Sequence, residues 1–386
     1  MKKKHSLLLL PLLLCSCGKA SEWTMEQFYK EDGVNIKNVI LMISDGTSAN
    51  TVNIARDVNG GHLYIDEFMN GSVVTASLTT LSYDKKLQND NPTDSAAAAT
   101  AMATGHKTTN KSIGLVDGIA KETVLEKAQE KGMKTGLVTT VGLVDATPAA
   151  FYAHTEERSE LNDIYQALVN SNVDVLIGDV DINNKEYFNA EDFENKGYTV
   201  VFENKAAFDA IDNTTTKLMA NFDERYDWRV GNNYPHLVDY TTKALELLEN
   251  ENGFFAMIEG GAIDHANHNW MAYESITDFL AFDKAVHEVM EFAKNRNDTA
   301  VIVCPDHGNG AIKYIKGANK YNEGDDLGQF LMENTEYQIQ GHTNEDVYLA
   351  SYIPEGVARI GGNNQFIDNT TIAYYIDALL DLGLFA

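Results

Sequence analysis

Asn38-Val39-Ile40-Leu41-Met42-Ile43-Ser44-Asp45 is an unbroken apolar run of strand length that stops on a carboxylate. Three further runs repeat the pattern. Thr135-Gly136-Leu137-Val138-Thr139-Thr140-Val141 is soon followed by Asp145 and Thr147, Phe254-Phe255-Ala256-Met257-Ile258 stops at Glu259, and Ala300-Val301-Ile302-Val303-Cys304 leads through Pro305 to Asp306 and His307. Runs that are apolar at every position, separated by segments of helix length, suit a parallel sheet covered on both faces. Such sheets bind ligands outside the carboxyl ends of their strands. The expected fold is therefore α/β, a central mostly parallel sheet sandwiched by helices, with all four runs delivering their polar residues to one edge.

The spacing at that edge suits metal ligands. Asp264 and His268 are four apart, so a turn of helix brings both onto one face. His342, ahead of a further apolar run, could complete either of two sites. Mixed nitrogen and carboxylate donors suit zinc, whereas Asp45, Thr147 and Glu259 offer only oxygen and suit magnesium.

A nucleophile is offered by Asn91-Pro92-Thr93-Asp94-Ser95-Ala96-Ala97-Ala98-Ala99-Thr100-Ala101-Met102-Ala103-Thr104-Gly105. Pro92 cannot continue a helix from before it, Thr93 or Asp94 can cap a new one, and Gly105 can end it. The free N–H groups of the first turn then favour an anion beside Ser95, and the alanines leave its hydroxyl unshielded. No histidine or lysine lies near Ser95 in sequence to act as its base, so activation by metal is the economical reading.

Read in order, these segments resemble the alkaline phosphatase family from about Lys37 to the end. The resemblance is densest at Ser44-Asp45-Gly46, Thr93 to Ala97, Asp145-Ala146-Thr147-Pro148-Ala149 with Ala153-His154 through Arg158, Glu259-Gly260 through His268, and Asp306-His307 with His342-Thr343. It implies a phosphomonoesterase acting on small phosphate monoesters, with Ser95 as the nucleophile that forms a phosphoserine. It implies two zinc ions, one on Asp45, Asp306 and His307 and one on Asp264, His268 and His342, the second facing the leaving oxygen. A magnesium ion would be held by Asp45, Thr147 and Glu259, with Asp145 beside it. Arg158 would grip the phosphate as a planar fork, oriented by Asp94. The family commonly forms dimers, so a homodimer is among the implied assemblies.

Two positions depart from the family's usual pattern. Asn309 stands where a second histidine often follows the Asp-His pair, and it can donate a hydrogen bond but carry no charge. His265, expected at the substrate, replaces the lysine of many bacterial members. The rival readings are a phosphodiesterase or another member of the wider superfamily, and a phosphate-binding lipoprotein without turnover. Sulfatases are disfavoured because Ser95 is followed by alanines rather than by a Pro-x-Arg sequence.

Met1-Lys2-Lys3-Lys4-His5 followed by a short leucine-rich run reads as an export signal over residues 1–16, too short to span a membrane. Leu14-Cys15-Ser16-Cys17 resembles a lipobox, so Cys17 is expected to carry a lipid that tethers an exported bacterial lipoprotein, periplasmic or at the outer membrane. Residues 17–36 would form a tether and first helix and 37–386 the phosphatase domain, with polar insertions at about 180–234 and 310–340 over the site edge. Cys304 would then be the one cysteine of the mature body besides the anchor, and no internal disulfide is expected. The net charge of -27 argues against nucleic acid as a dedicated partner. Three bound divalent cations would add roughly +6 at the site, so an anionic substrate is compatible with an acidic surface.

Overall fold

The computed structural model describes residues 21–82, 91–180, 189–223, 234–315 and 320–385. The expected export signal and Cys17 lie outside the described residues. Among the described residues ten strands form one sheet: β1 Asn38–Ile43, β2 Met69–Val74, β3 Lys134–Gly142, β4 Val175–Asp179, β5 Thr199–Phe202, β6 Leu218–Asn221, β7 Phe254–Glu259, β8 Thr299–Cys304, β9 Val347–Tyr352 and β10 Gln365–Asp368. Their spatial order is β10-β2-β9-β8-β1-β7-β3-β4-β6-β5. Only β9 runs against its neighbours β8 and β2, and every other pairing is parallel.

The central strands are apolar throughout because both of their faces are covered. In β1, Val39, Leu41 and Ile43 enter one apolar cluster while Ile40 and Met42 enter the other. β8 divides likewise, with Ala300, Ile302 and Cys304 on the first side and Val301 and Val303 on the second. Residues of helices Ser95–Thr104, Val124–Glu130 and Thr370–Leu380 fill the first layer, and those of Ala49–Val58, Leu237–Leu248 and Ala272–Lys294 fill the second. At about 25 cal/mol per Å² of apolar surface removed from water, this two-sided burial is the main force holding the sheet flanked.

Register then aligns the site. Ile43 lies opposite both Glu259 and Cys304, and Thr139 lies opposite Glu259, so Asp45, Glu259 and the Asp306-His307 pair leave the sheet at one level.

Two sequence expectations meet a different structure. Residues 21–36 contain a single 3₁₀ turn, Met25–Gln27, in place of a first helix. Lone bridges from Glu22 to Phe366 and from Lys30 to Val357 tie the segment down in extended form, with Trp23 buried against Tyr375. Of the 180–234 stretch, residues 189–223 supply β5 and β6, the outermost strands on one side of the sheet. The 310–340 stretch holds the short pair Lys313–Tyr314 and Thr335–Glu336 with helix Leu327–Asn334 between them, and it returns the chain so that His342–Thr343 pairs with Gly308–Asn309. No helix among the described residues is long and apolar enough to cross a membrane.

Candidate active site

Ser95 opens the alanine-rich helix, all ten residues of which are buried. Asp94 is the cap: its Oδ1 accepts from the Ala97 N–H at 3.1 Å, while Gly105 closes the helix at φ +72°. Small side chains let this helix lie close against helix Thr370–Leu380 and the short helix Ala146–Ala149, which fixes Ser95 at the sheet edge. Its Oγ lies 3.1 Å from His307 Nε2.

Two groups of potential ligands meet at His307. Asp45, Asp306 and His307 form one and Asp264, His307 and His342 the other, each with its donor atoms within 4.8 Å of one another. His268 joins the second group, with its Nε2 3.0 Å from His342 Nε2 and 3.3 Å from Asp264 Oδ2. The i, i+4 relation of Asp264 and His268 is realised on helix Ala262–His268. His342 is oriented by its Nδ1, 2.7 Å from the Thr93 carbonyl, and its ring stacks on His307 with centroids 3.7 Å apart.

The oxygen donors stand behind these groups. Thr147 Oγ1 donates to Asp45 Oδ2 at 3.3 Å, and Glu259 Oε2 accepts from Thr139 Oγ1 at 2.5 Å. Asp145 belongs to neither group of three, for its oxygens face Arg158 Nη2 at 2.8 Å and His265 Nε2 at 3.3 Å. It also caps its own helix by accepting from the Ala146 N–H. Arg158 Nη1 reaches Asp94 Oδ2 at 3.5 Å, so two carboxylates flank the guanidinium. Its backbone N–H donates to the Lys111 carbonyl, and Lys111 N–H donates to Asp94 Oδ2, which joins the arginine to the nucleophile's cap.

The electrostatics of the protein alone are unbalanced, and in the direction that cations correct. Burial, then the charges of Asp306, Asp264 and Glu259, push the Asp45 carboxyl well up. Burial is also the main cause that raises Glu259 to about 8 and Asp306 to about 7. Burial, reinforced by the nearby His342, holds His307 well below its ordinary value and so favours the neutral imidazole that binds metals. Asp145 goes the other way: burial opposes ionisation, but His265 and Arg158 outweigh it and hold the group well below the usual carboxylate range. Asp45 Oδ1, Asp306 Oδ2, Glu259 Oε1 and His307 Nδ1 are buried without a hydrogen-bond partner. Orphaned buried carboxylate oxygens are costly. Their convergence with histidine ring nitrogens is the donor chemistry of divalent cations, so the residues fit zinc and magnesium.

Known proteins share this chain's sequence pattern and fold. The family model described as alkaline phosphatase matches residues 36–186 and 181–324. The chain belongs to the alkaline phosphatase family. As a member it is an enzyme of the phosphoric monoester hydrolase class. It is 34% identical to alkaline phosphatase 4 of Bacillus subtilis over 75% of this chain and 65% of that protein, just under two thirds of the relative's length. With the alkaline phosphatase of Escherichia coli it shares 28% identity over 90% of this chain and 86% of the relative. The solved alkaline phosphatase from the Antarctic bacterium TAB5 superposes with a TM-score of 0.75 at 26% identity, covering 90% of this chain and 98% of that one. A substituted form of that enzyme, with magnesium bound in its M3 site, superposes at 0.74.

Several residues of this phosphatase site were not singled out by motif. Thr139 holds Glu259, and Asn267 donates to the Gly46 carbonyl at 3.0 Å. Asn309, noted only as a departure, donates through Nδ2 to Asp264 Oδ1 at 2.6 Å and so fixes a carboxylate of the second group of potential ligands. Thr139 could have been found as the residue in register with Glu259, and Asn309 was marked by its place after Asp306-His307, but Asn267 carries no local signal.

Proposed function

We propose that this chain hydrolyses small phosphate monoesters through a phosphoserine on Ser95. The observation that carries the proposal is the position of Ser95 Oγ, 3.1 Å from the histidine shared by both ligand groups, at the capped start of a buried helix. Asp45, Asp306 and His307 would hold one zinc ion and Asp264, His268 and His342 the other. Asp45, Thr147 and Glu259 would hold magnesium, a reading supported by the magnesium in the TAB5 relative's variant. When bound, the ions supply positive charge and Lewis acidity to the attacking and leaving oxygens.

The chain's own residues do the rest. Ser95 Oγ forms a bond to phosphorus as the bond from phosphorus to the leaving oxygen breaks, and water then attacks the phosphoserine to release inorganic phosphate. Such transfers place little covalent demand on the protein, so positioning and charge dominate. Arg158, flanked by Asp94 and Asp145, presents its fork to the phosphoryl oxygens in a fixed plane. His265 steadies Asp145 from the other side and acts on substrate through that carboxylate.

The test is acid trapping with labelled phosphate in the presence of zinc and magnesium. Wild type is expected to retain label on Ser95, and Ser95→Ala none while still binding zinc. Equal labelling of the two proteins would refute the nucleophile.

We further propose that residues 1–16 direct export and that Cys17 carries a lipid anchor, a reading supported by the basic start, the leucine run and Leu14-Cys15-Ser16-Cys17. Mass analysis is expected to find acyl chains on Cys17. An unmodified, freely soluble protein would overturn the anchor.

A further inference from the structure

Helix Ala262–His268 ends in a Schellman turn, in which the Trp270 N–H donates to the Asn267 carbonyl and the Met271 N–H to the Ala266 carbonyl. The residue at the turn's left-handed position is usually glycine or asparagine. Here it is Trp270, at φ +58°. A bulky side chain is strained there and persists only where its surroundings hold it.

Those surroundings adjoin the segments that carry His268 and His342. Trp270 Nε1 donates to the Ile339 carbonyl at 3.1 Å, and its ring lies parallel to that of Tyr337, with centroids 6.4 Å apart and 7° between planes. Tyr337 in turn donates to Asn267 Oδ1 at 2.9 Å, and Gln340 Nε2 donates to the His268 carbonyl at 3.3 Å. The indole thus ties together the two segments that carry His268 and His342. Yet it remains 54% exposed, whereas Trp23, a core residue, is 2% exposed. Core packing does not explain a locked, strained and open indole two residues past a ligand of the site.

We propose that Trp270 is a stacking platform for a planar aromatic leaving group, the ring of an aryl phosphate or the base of a nucleoside monophosphate. The inference rests on the phosphomonoesterase reading, in which Asp264, His268 and His342 face the leaving oxygen. Trp270 follows two residues after His268 at the end of the same helix, so the indole belongs to the segment on the leaving-group side. A flat ring stacks on an indole whatever its pattern of polar atoms, while an aliphatic alcohol has no face to offer. Trp270 is therefore a specificity determinant among monoesters, outside the phosphoryl-transfer machinery itself.

The test compares phenyl phosphate, adenosine 5′-monophosphate and glycerol phosphate with the full chain in zinc and magnesium. Trp270→Asn suits the left-handed backbone and removes the ring, while Trp270→Phe keeps a ring without the Nε1 hydrogen bond. In Trp270→Asn the kcat/KM of at least one aromatic ester relative to glycerol phosphate is expected to fall about tenfold, mostly through KM, from the loss of one stacking contact. Trp270→Phe is expected to restore most of that ratio. A fall confined to phenyl phosphate assigns the platform to aryl esters, and one confined to the nucleotide assigns it to the base. Unchanged ratios in Trp270→Asn, or equal losses on all three esters with a raised Ki for inorganic phosphate, would overturn the platform and leave Trp270 a structural cap. Failure of the wild type to hydrolyse any of the three would instead overturn the phosphomonoesterase reading.

Discussion

Gly46→Ala tests how the site is built more sharply than removal of any ligand, because it adds one carbon and deletes nothing. Gly46 follows Asp45 at φ +61°, and a β-carbon there would stand 2.1 Å from Asp264 Oδ1, 2.7 Å from its Cβ and 2.8 Å from its Cγ. Left-handed backbone costs an alanine about 1–2 kcal/mol. The contact adds more, since Asp264 must retreat by about 1 Å, a shift that close-packed interiors resist. Asp264 is not free to retreat, for Asn309 Nδ2 holds its Oδ1 at 2.6 Å and His268 lies 3.3 Å from its Oδ2. Losing the Asn309 bond strands buried polar atoms at a further 1–3 kcal/mol or so. The expected destabilisation is thus about 2–5 kcal/mol, with zinc affinity at the Asp264 group lower by about 10–100-fold, as for other losses of ligand support. Gly33→Ala is the control, because Gly33 also has positive φ, +88°, but nothing within 4 Å of an added β-carbon. Thermal melting of the two variants separates backbone strain from collision, and competition with a calibrated chelator reads zinc affinity. If Gly46→Ala binds zinc as tightly as Gly33→Ala and melts with it, the close approach of Asp264 to the strand end is not what shapes the site.

Two further outcomes follow from the charged pairs. Arg158→Ala is expected to raise KM for p-nitrophenyl phosphate and lower kcat less than Ser95→Ala does, with hydrolysis of the bis-p-nitrophenyl diester less affected because a diester offers the fork fewer free oxygens; an unchanged monoester-to-diester ratio of kcat/KM would remove Arg158 as the phosphate clamp. His154 Nε2 lies 3.0 Å from Glu126 Oε1, and that hydrogen bond raises the histidine above its ordinary 6.5. Burial opposes ionisation of Glu126, but His154 and the Thr123 N–H hold it below its ordinary 4.5. The histidine's contribution is therefore full below about pH 6.5 and lost as pH rises through its folded value, while the glutamate's is present above about 4.5 and lost as pH falls. The difference in melting temperature between wild type and His154→Ala is expected to peak between about pH 5 and 6, with at most about 1 kcal/mol from this half-exposed pair; a difference that stays flat from pH 5 to 8 would refute the charged pair.

What the sequence made legible is what repeats along it. Four apolar runs ending on polar residues were enough to read a doubly covered parallel sheet, because a buried strand must be apolar on both faces and its end is where polar atoms first reach water. The i, i+4 spacing of Asp264 and His268 was legible for the same reason, as a local period. β5 and β6 were not, since they are four residues long within a polar, Asn- and Asp-rich stretch and read as insertion rather than strand. The expected first helix failed because its bridging partners, Phe366 and Val357, lie more than 300 residues away. The supports of the site fall in the same class. Gly46 meets Asp264, Asn309 holds Asp264, and Trp270 spans to Ile339, each through a contact that no window of sequence contains. Candidate ligands announce themselves because their chemistry is rare, whereas the residues that hold them use ordinary glycine, asparagine and tryptophan in particular places. Trp270 stands where a helix end asks for glycine, and the contacts that hold it there, with Ile339 and Tyr337, come from some seventy residues further along the chain and exist only in the fold.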